Sequence, residues 1–122
     1  GKRFEIICRE FLIDQNKIPF EYHKIGRQWG KIKDAPKGQN TYEIDIIALN
    51  SDSKEILFVE CKWKNLSLKQ AENILYDLQE KSKFVGWNND ERVEQFGIIA
   101  KKINGKDSLR AKGFLVFDLD DM

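Results

Sequence analysis

Two stretches, residues 42–49 and 55–63, constrain this chain more than anything else in it. In an extended segment alternate side chains face opposite sides. In the first stretch Ile44, Ile46 and Ala48 fall on one face, and Glu43, Asp45, Ile47 and Leu49 on the other. In the second, Ile56, Phe58, Glu60 and Lys62 share a face, opposite Leu57, Val59, Cys61 and Trp63. Both stretches are therefore apolar on two sides, the pattern of a sheet interior covered by helices on both faces. The connection Asn50-Ser51-Asp52-Ser53 is made of turn formers, so the pair reads as a hairpin.

Helices to cover such a sheet are present. Residues 3–16 carry Phe4, Ile7, Cys8, Phe11 and Leu12 at the spacing of one buried helical stripe. Residues 67–84 carry Leu68, Ala71, Ile74, Leu75 and Leu78 on a second, followed by Val85, with Ser67 as its N-cap. Pro19 sets an extended start to a strand at residues 20–25. A loop at 26–40 follows, containing Gly26, Gly30, Pro36 and Gly38. Residues 95–101 and 114–119 read as two more strands around a polar loop at Asn104-Gly105. The expected order is αβββαββ, a mixed sheet with helices packed on it.

A chain of 122 residues suits one domain with one core, and 41% hydrophobic residues suffice to build it. It begins at Gly1 and not Met, which suggests a piece of a longer protein. No apolar run approaches the roughly 20 residues of a membrane helix, so no membrane association is expected. Cys8 and Cys61 sit among apolar residues without metal-ligand spacing and read as buried thiols, which fits a cytoplasmic location. A net charge of +1 gives no overall basic field, so any attraction to phosphate must be local.

Asp45, Glu60 and Lys62 interrupt the apolar strands. Charged groups in such positions are costly unless paired or bound to a metal. Asp45 and Glu60 supply the hard oxygen ligands that Mg²⁺ prefers, or Mn²⁺ in its place. Such an ion would lower the pKa of a bound water and polarise a phosphoryl oxygen, with Lys62 beside that water. On the first helix, at about 100° per residue, Glu5 lies roughly 90° from the centre of the apolar stripe and Glu10 roughly 130° away, so Glu5 is the third acid. A plainer reading makes Asp45 and Lys62 a cross-strand ion pair and puts Glu60 at a solvated strand end.

The runs Gly1-Lys2-Arg3-Phe4-Glu5, Glu43-Ile44-Asp45-Ile46-Ile47-Ala48-Leu49 and Val59-Glu60-Cys61-Lys62-Trp63 together resemble the PD-(D/E)xK nuclease superfamily. With Gly26-Arg27-Gln28-Trp29-Gly30-Lys31, they resemble more closely a domain of unknown function found at the C-terminus of archaeal AAA-like ATPases. The resemblance covers nearly the whole chain. It implies a restriction-endonuclease-like αβββαβ core and a catalytic set of Glu5, Asp45, Glu60 and Lys62. Ile44 stands where the superfamily has its proline, a departure that removes no ligand. The resemblance also implies Mg²⁺-dependent hydrolysis of DNA, an attached or associated ATP-binding domain as partner, and a homodimer of the kind resolvase relatives form. The alternative is a catalytically inactive module that binds DNA or docks onto the ATPase.

Glu43, on the face of Asp45, is an additional candidate metal ligand or a surface carboxylate. Arg27 and Lys31 are candidates to hold a phosphate backbone and Trp29 to stack on a base. Lys64 and Lys81 are further candidates for contact with nucleic acid. Trp63 is expected in the core, His23 is expected to be structural, and Asp118-Leu119-Asp120-Asp121 is expected to be a frayed acidic end.

Overall fold

The computed structural model describes residues 1–122. The elements run α1 (Lys2–Asp14), β1 (Lys24–Lys31), β2 (Thr41–Asn50), β3 (Glu55–Leu66), α2 (Leu68–Ser82), β4 (Val93–Ile103), α3 (Lys106–Ala111) and β5 (Leu115–Phe117), closed by a 3₁₀ turn at Leu119–Asp121. The strands form one mixed sheet in the order β1-β2-β3-β4-β5. The first three are antiparallel neighbours, and β4 and β5 join in parallel. This is the mixed α/β architecture expected, with the αβββαβ order up to β4 and with α3 in place of a plain polar loop.

The sheet is covered on both sides. Phe4, Cys8, Phe11 and Leu12 of α1 pack against Ile46, Ala48, Leu57, Val59, Cys61 and Ile99. On the opposite face Leu78 of α2 joins Ile44, Ile47, Ile56 and Phe58. Farther along, Ala71 and Leu75 meet Ile98, Ala100 and Val116. The start of α2 is fixed by a complete capping box, in which the Ser67 side chain takes the Gln70 N–H and the Gln70 side chain takes the Ser67 N–H. Its C-terminal end is tied down by the buried Arg92 guanidinium, which donates to the carbonyls of Ser82, Val85 and Trp87. No helix is long and apolar enough to cross a membrane.

Four features depart from expectation. The first concerns β1. It begins at Lys24 and runs through Lys31, so Arg27, Trp29 and Lys31 lie on an edge strand and not in a loop. Pairing with β2 recruits them, because Gly30 lies opposite Tyr42 and Lys31 opposite Thr41. The second is a β-bulge where β1 and β2 shift register, with Gly26 opposite Ile47 but Gln28 opposite Ile44. The extra residue in β2 breaks simple alternation. Ile44 and Ile47 therefore share the α2 side, while Ile46 and Ala48 face α1.

Third, the chain end is not frayed. Asp118 is buried, accepts the Ile103 N–H at 3.0 Å, and pairs with Lys106 at 2.9 Å. Fourth, two residues expected in the core are half-exposed. Trp63 is 51% accessible and Ile7 45%. Trp63 leans on Phe4, with ring centroids 5.2 Å apart, and the Lys101 ammonium lies over its ring at 5.1 Å from the centroid.

Candidate active site

The site forms where β2 and β3 part. Their ladder ends at the pair Ile46 and Val59, although both strands continue past it. Beyond that pair the Asp45 carboxylate accepts the Cys61 backbone N–H at 2.9 Å. A side chain has taken the place of a neighbouring carbonyl. Satisfying that N–H lets the strands separate without leaving a donor unpaired.

The bulge re-aims Asp45. Simple alternation sends it to the α2 side with Ile47. Instead it lines a cavity of about 180 Å³ with Lys2, Glu5, Ile6 and Arg9 of α1, together with Arg27 and Ile46. The Glu5 and Asp45 carboxyls line this cavity together, and the Asp45 charge acts on Glu5. Burial lifts the Glu5 carboxyl above its ordinary range, and the Asp45 charge raises it further. Arg27 and the N-terminal ammonium pull the other way. Two carboxyls in one cavity at neutral pH repel each other unless they share a proton or a cation.

The second half of the site lies on the α2 side. Glu60 is 5% accessible. Its Oε1 lies 3.3 Å from Lys81 Nζ and its Oε2 4.0 Å from Lys62 Nζ. Lys81 also donates to the Glu43 carbonyl at 2.8 Å. Burial raises the Glu60 carboxyl above its ordinary range, the nearby Asp45 charge adds to this, and Lys81 and Lys62 oppose it. The two halves therefore lie on opposite faces of the sheet, and Glu60 does not line the Glu5–Asp45 cavity. The plainer sequence alternative is not what forms: Lys62 pairs with Glu60, and Glu60 is buried and not at a solvated strand end.

The other candidates divide between these halves. The Glu43 carboxylate pairs with Arg27 and does not turn toward Asp45. Arg27, Trp29 and Lys31 alternate with less exposed neighbours and so form one row along the edge strand, with Arg27 at the Glu5–Asp45 cavity and Trp29 72% accessible. Lys64 shares a cleft of about 280 Å³ with Lys62, Gln70 and Asn73. Lys81 serves Glu60. Lys2 and Arg9 were not singled out from the sequence. They stand three before and four after Glu5 on α1, so helical neighbourhood alone would have found them. Cys8 and Cys61 are buried free thiols, and the interaction with Cys8, followed by burial, pushes the Cys61 thiol up and makes it unreactive.

The donor set fits a hard divalent cation in part. Glu5 and Asp45 bring two carboxyls to one cavity, all the ligands present are oxygens, and Mg²⁺ keeps several waters of its own. No three acidic, histidine or cysteine side chains converge closely enough to hold a metal between them. The third oxygen ligand would have to be Glu60, whose Oε1 faces Lys81.

Residues 1–74 match the model of DUF234, a family described as archaeal and bacterial proteins of unknown function. The chain belongs to the DUF234 family. The matched region of this DUF234 domain contains Glu5, Asp45, Glu60 and Lys62 and ends before Lys81. An uncharacterized protein of Methanocaldococcus jannaschii is 42% identical over 124 aligned residues, covering 99% of this chain. The chain spans 25% of that relative's length. Three solved structures are also similar. A repair endonuclease from Pyrococcus abyssi gives a TM-score of 0.45 at 14% identity, over 92% of this chain and 44% of that one. A protein of unknown function gives 0.48 at 15%, over 94% and 55%. An EndoMS–dsDNA complex gives 0.39 at 16%, over 91% and 41%.

Proposed function

We propose that this DUF234 domain is a Mg²⁺- or Mn²⁺-dependent phosphodiesterase of the PD-(D/E)xK class that acts on DNA. The observation that carries this reading is the placement of Glu5 and Asp45 in one cavity. A helix and a bulged strand bring two carboxyls together at the point where a sheet opens, and Glu60 and Lys62 stand on the next strand. Lys2, Arg9 and Arg27 line the same cavity and bring positive charge to these acids in the metal-free protein.

In this reading Glu5, Asp45 and Glu60 would hold the ion, which would supply a more acidic water and a polarised phosphoryl oxygen. Lys62 sits 4.0 Å from Glu60 with its side chain 40% exposed, and in this reading it orients a nucleophile or meets charge developing on phosphorus. Arg27 joins the cavity to the exposed row of Trp29 and Lys31. That row offers a cation, a stacking surface and a second cation along one strand edge, a pattern that suits single-stranded or frayed nucleic acid. Lys62 and Lys64, with the amides of Gln70 and Asn73, line a second polar cleft for backbone phosphate.

A second reading is a module that has lost catalysis and binds DNA or docks onto an attached ATP-binding domain. The satisfied Glu60–Lys81 pair favours it, because such a pair is also a stable structural end state. A cleavage assay on branched, single-stranded and duplex DNA in Mg²⁺ and Mn²⁺ separates the two. The enzymatic reading expects product from the wild type and none from Asp45→Ala. Cleavage unchanged in the variant, or no cleavage of any substrate in either metal, removes it.

A further inference from the structure

We propose that Lys81 is the internal counter-ion of Glu60, occupying that carboxylate until a divalent ion displaces it. This deepens the metal-site reading above and rests on it. Three observations point to it. The Lys81 ammonium lies between two oxygens, Glu60 Oε1 at 3.3 Å and the Glu43 carbonyl at 2.8 Å, and so takes the place of a cation among oxygen donors. Glu60 is 5% accessible, so water does little to solvate its charge and a partner is needed. Finally, the three acids do not yet converge: Glu5 and Asp45 share the α1-side cavity while Oε1 of Glu60 is turned to α2.

One exchange explains all three. Without metal, Lys81 occupies Glu60 Oε1 and holds it toward α2, away from the other acids. An arriving divalent ion competes for the same carboxylate, and Lys81 is released into the opening between β2 and β3. Lys81 lies in the last turn of α2, on a flexible stem and 30% exposed, so it can withdraw without moving the helix. Lys62 does not share this role. Its ammonium is 4.0 Å from the other oxygen, beyond hydrogen-bonding distance, and has no carbonyl to complete a cage. Lys81 is therefore a positioning residue, acting on metal through Glu60.

The test is direct Mn²⁺ binding to the protein by titration calorimetry, without DNA and without turnover. It compares wild type with Lys81→Met, Lys81→Gln, Lys81→Arg and Lys62→Met. Removing a competing cation should tighten Mn²⁺ binding by about tenfold or more in Lys81→Met, a coupling of ordinary size. Lys81→Gln keeps a donor for the Glu43 carbonyl and should behave the same way, which covers a failure of the Met variant to fold. Lys81→Arg should resemble wild type, and Lys62→Met should tighten binding less than Lys81→Met does. Equal or weaker affinity in both uncharged Lys81 variants overturns the proposal but leaves the metal site standing. The same gain in Lys62→Met also overturns it, because general charge is then responsible. No Mn²⁺ binding by any of the proteins overturns both the proposal and the nuclease reading.

Discussion

The Asp45 carboxylate accepts the Cys61 N–H at 2.9 Å, one step beyond the last backbone pair between β2 and β3. This single bond gives Asp45 a structural duty alongside its candidate chemical one, and the two separate by substitution. Asp45→Ala leaves the Cys61 N–H without its acceptor, at a cost of about 1–3 kcal/mol. Asp45→Asn keeps an acceptor and removes the charge that repels Glu5 and Glu60. Urea unfolding in EDTA should therefore show the Ala variant less stable than wild type and the Asn variant equal or more stable. A large loss in Asp45→Asn would mean that the charge itself is paired in the metal-free protein.

The raised carboxyls of Glu5 and Glu60 set the pH dependence of the metal-free state. A carboxyl whose native pKa lies above its unfolded value keeps its proton longer when folded. Its contribution to stability then falls as pH rises from the ordinary value of 4.5 through the higher native one. Glu60→Gln cannot ionise, so its stability relative to wild type should improve across that window and level off above it. Urea midpoints in EDTA at a series of pH values read this directly. A relative stability independent of pH would show that Lys81 and Lys62 fully offset the burial.

The C-terminal turn should prove structural. Asp118→Ala strips the acceptor from the buried Ile103 N–H and one partner from Lys106, which keeps Asp121 at 3.1 Å. A loss of about 1–3 kcal/mol in urea unfolding is expected, with metal binding unchanged.

The row on β1 should act on nucleic acid and not on folding. Trp29 is 72% accessible, so Trp29→Ala should leave the thermal midpoint unaltered while weakening single-stranded DNA binding by about 1–3 kcal/mol. Lys31→Ala should lower the slope of log affinity against log salt by about one contact. Fluorescence anisotropy over a range of salt concentrations checks both, and unchanged affinity in Trp29→Ala would take that side chain out of the interface.

Much of this architecture is written locally. The hairpin follows from two runs apolar on both faces around a turn, and the start of α2 from Ser67 and Gln70, three residues apart. Glu5 could be chosen over Glu10 because a helix angle suffices, and Glu10 is indeed exposed. The bulge at Asp45 was not legible, because one extra residue in a strand leaves no mark on composition or period. It nevertheless decides which face Asp45 serves. Lys81 with Glu60, Arg92 with the end of α2, and Lys106 with Asp118 join segments far apart in sequence, so no local pattern announces them. Trp63 and Ile7 keep the period of buried positions, but they lie where α1 and β3 run out of covering partners.

The most direct measurement is a crystal structure of the domain soaked in Mn²⁺, with anomalous scattering recorded beside β2 and β3. The account predicts one strong peak bound by oxygens of Asp45 and Glu60, with Glu5 in direct contact or joined through water and Lys81 withdrawn from Glu60. No peak there at saturating Mn²⁺, with Glu60 still paired to Lys81, would contradict it.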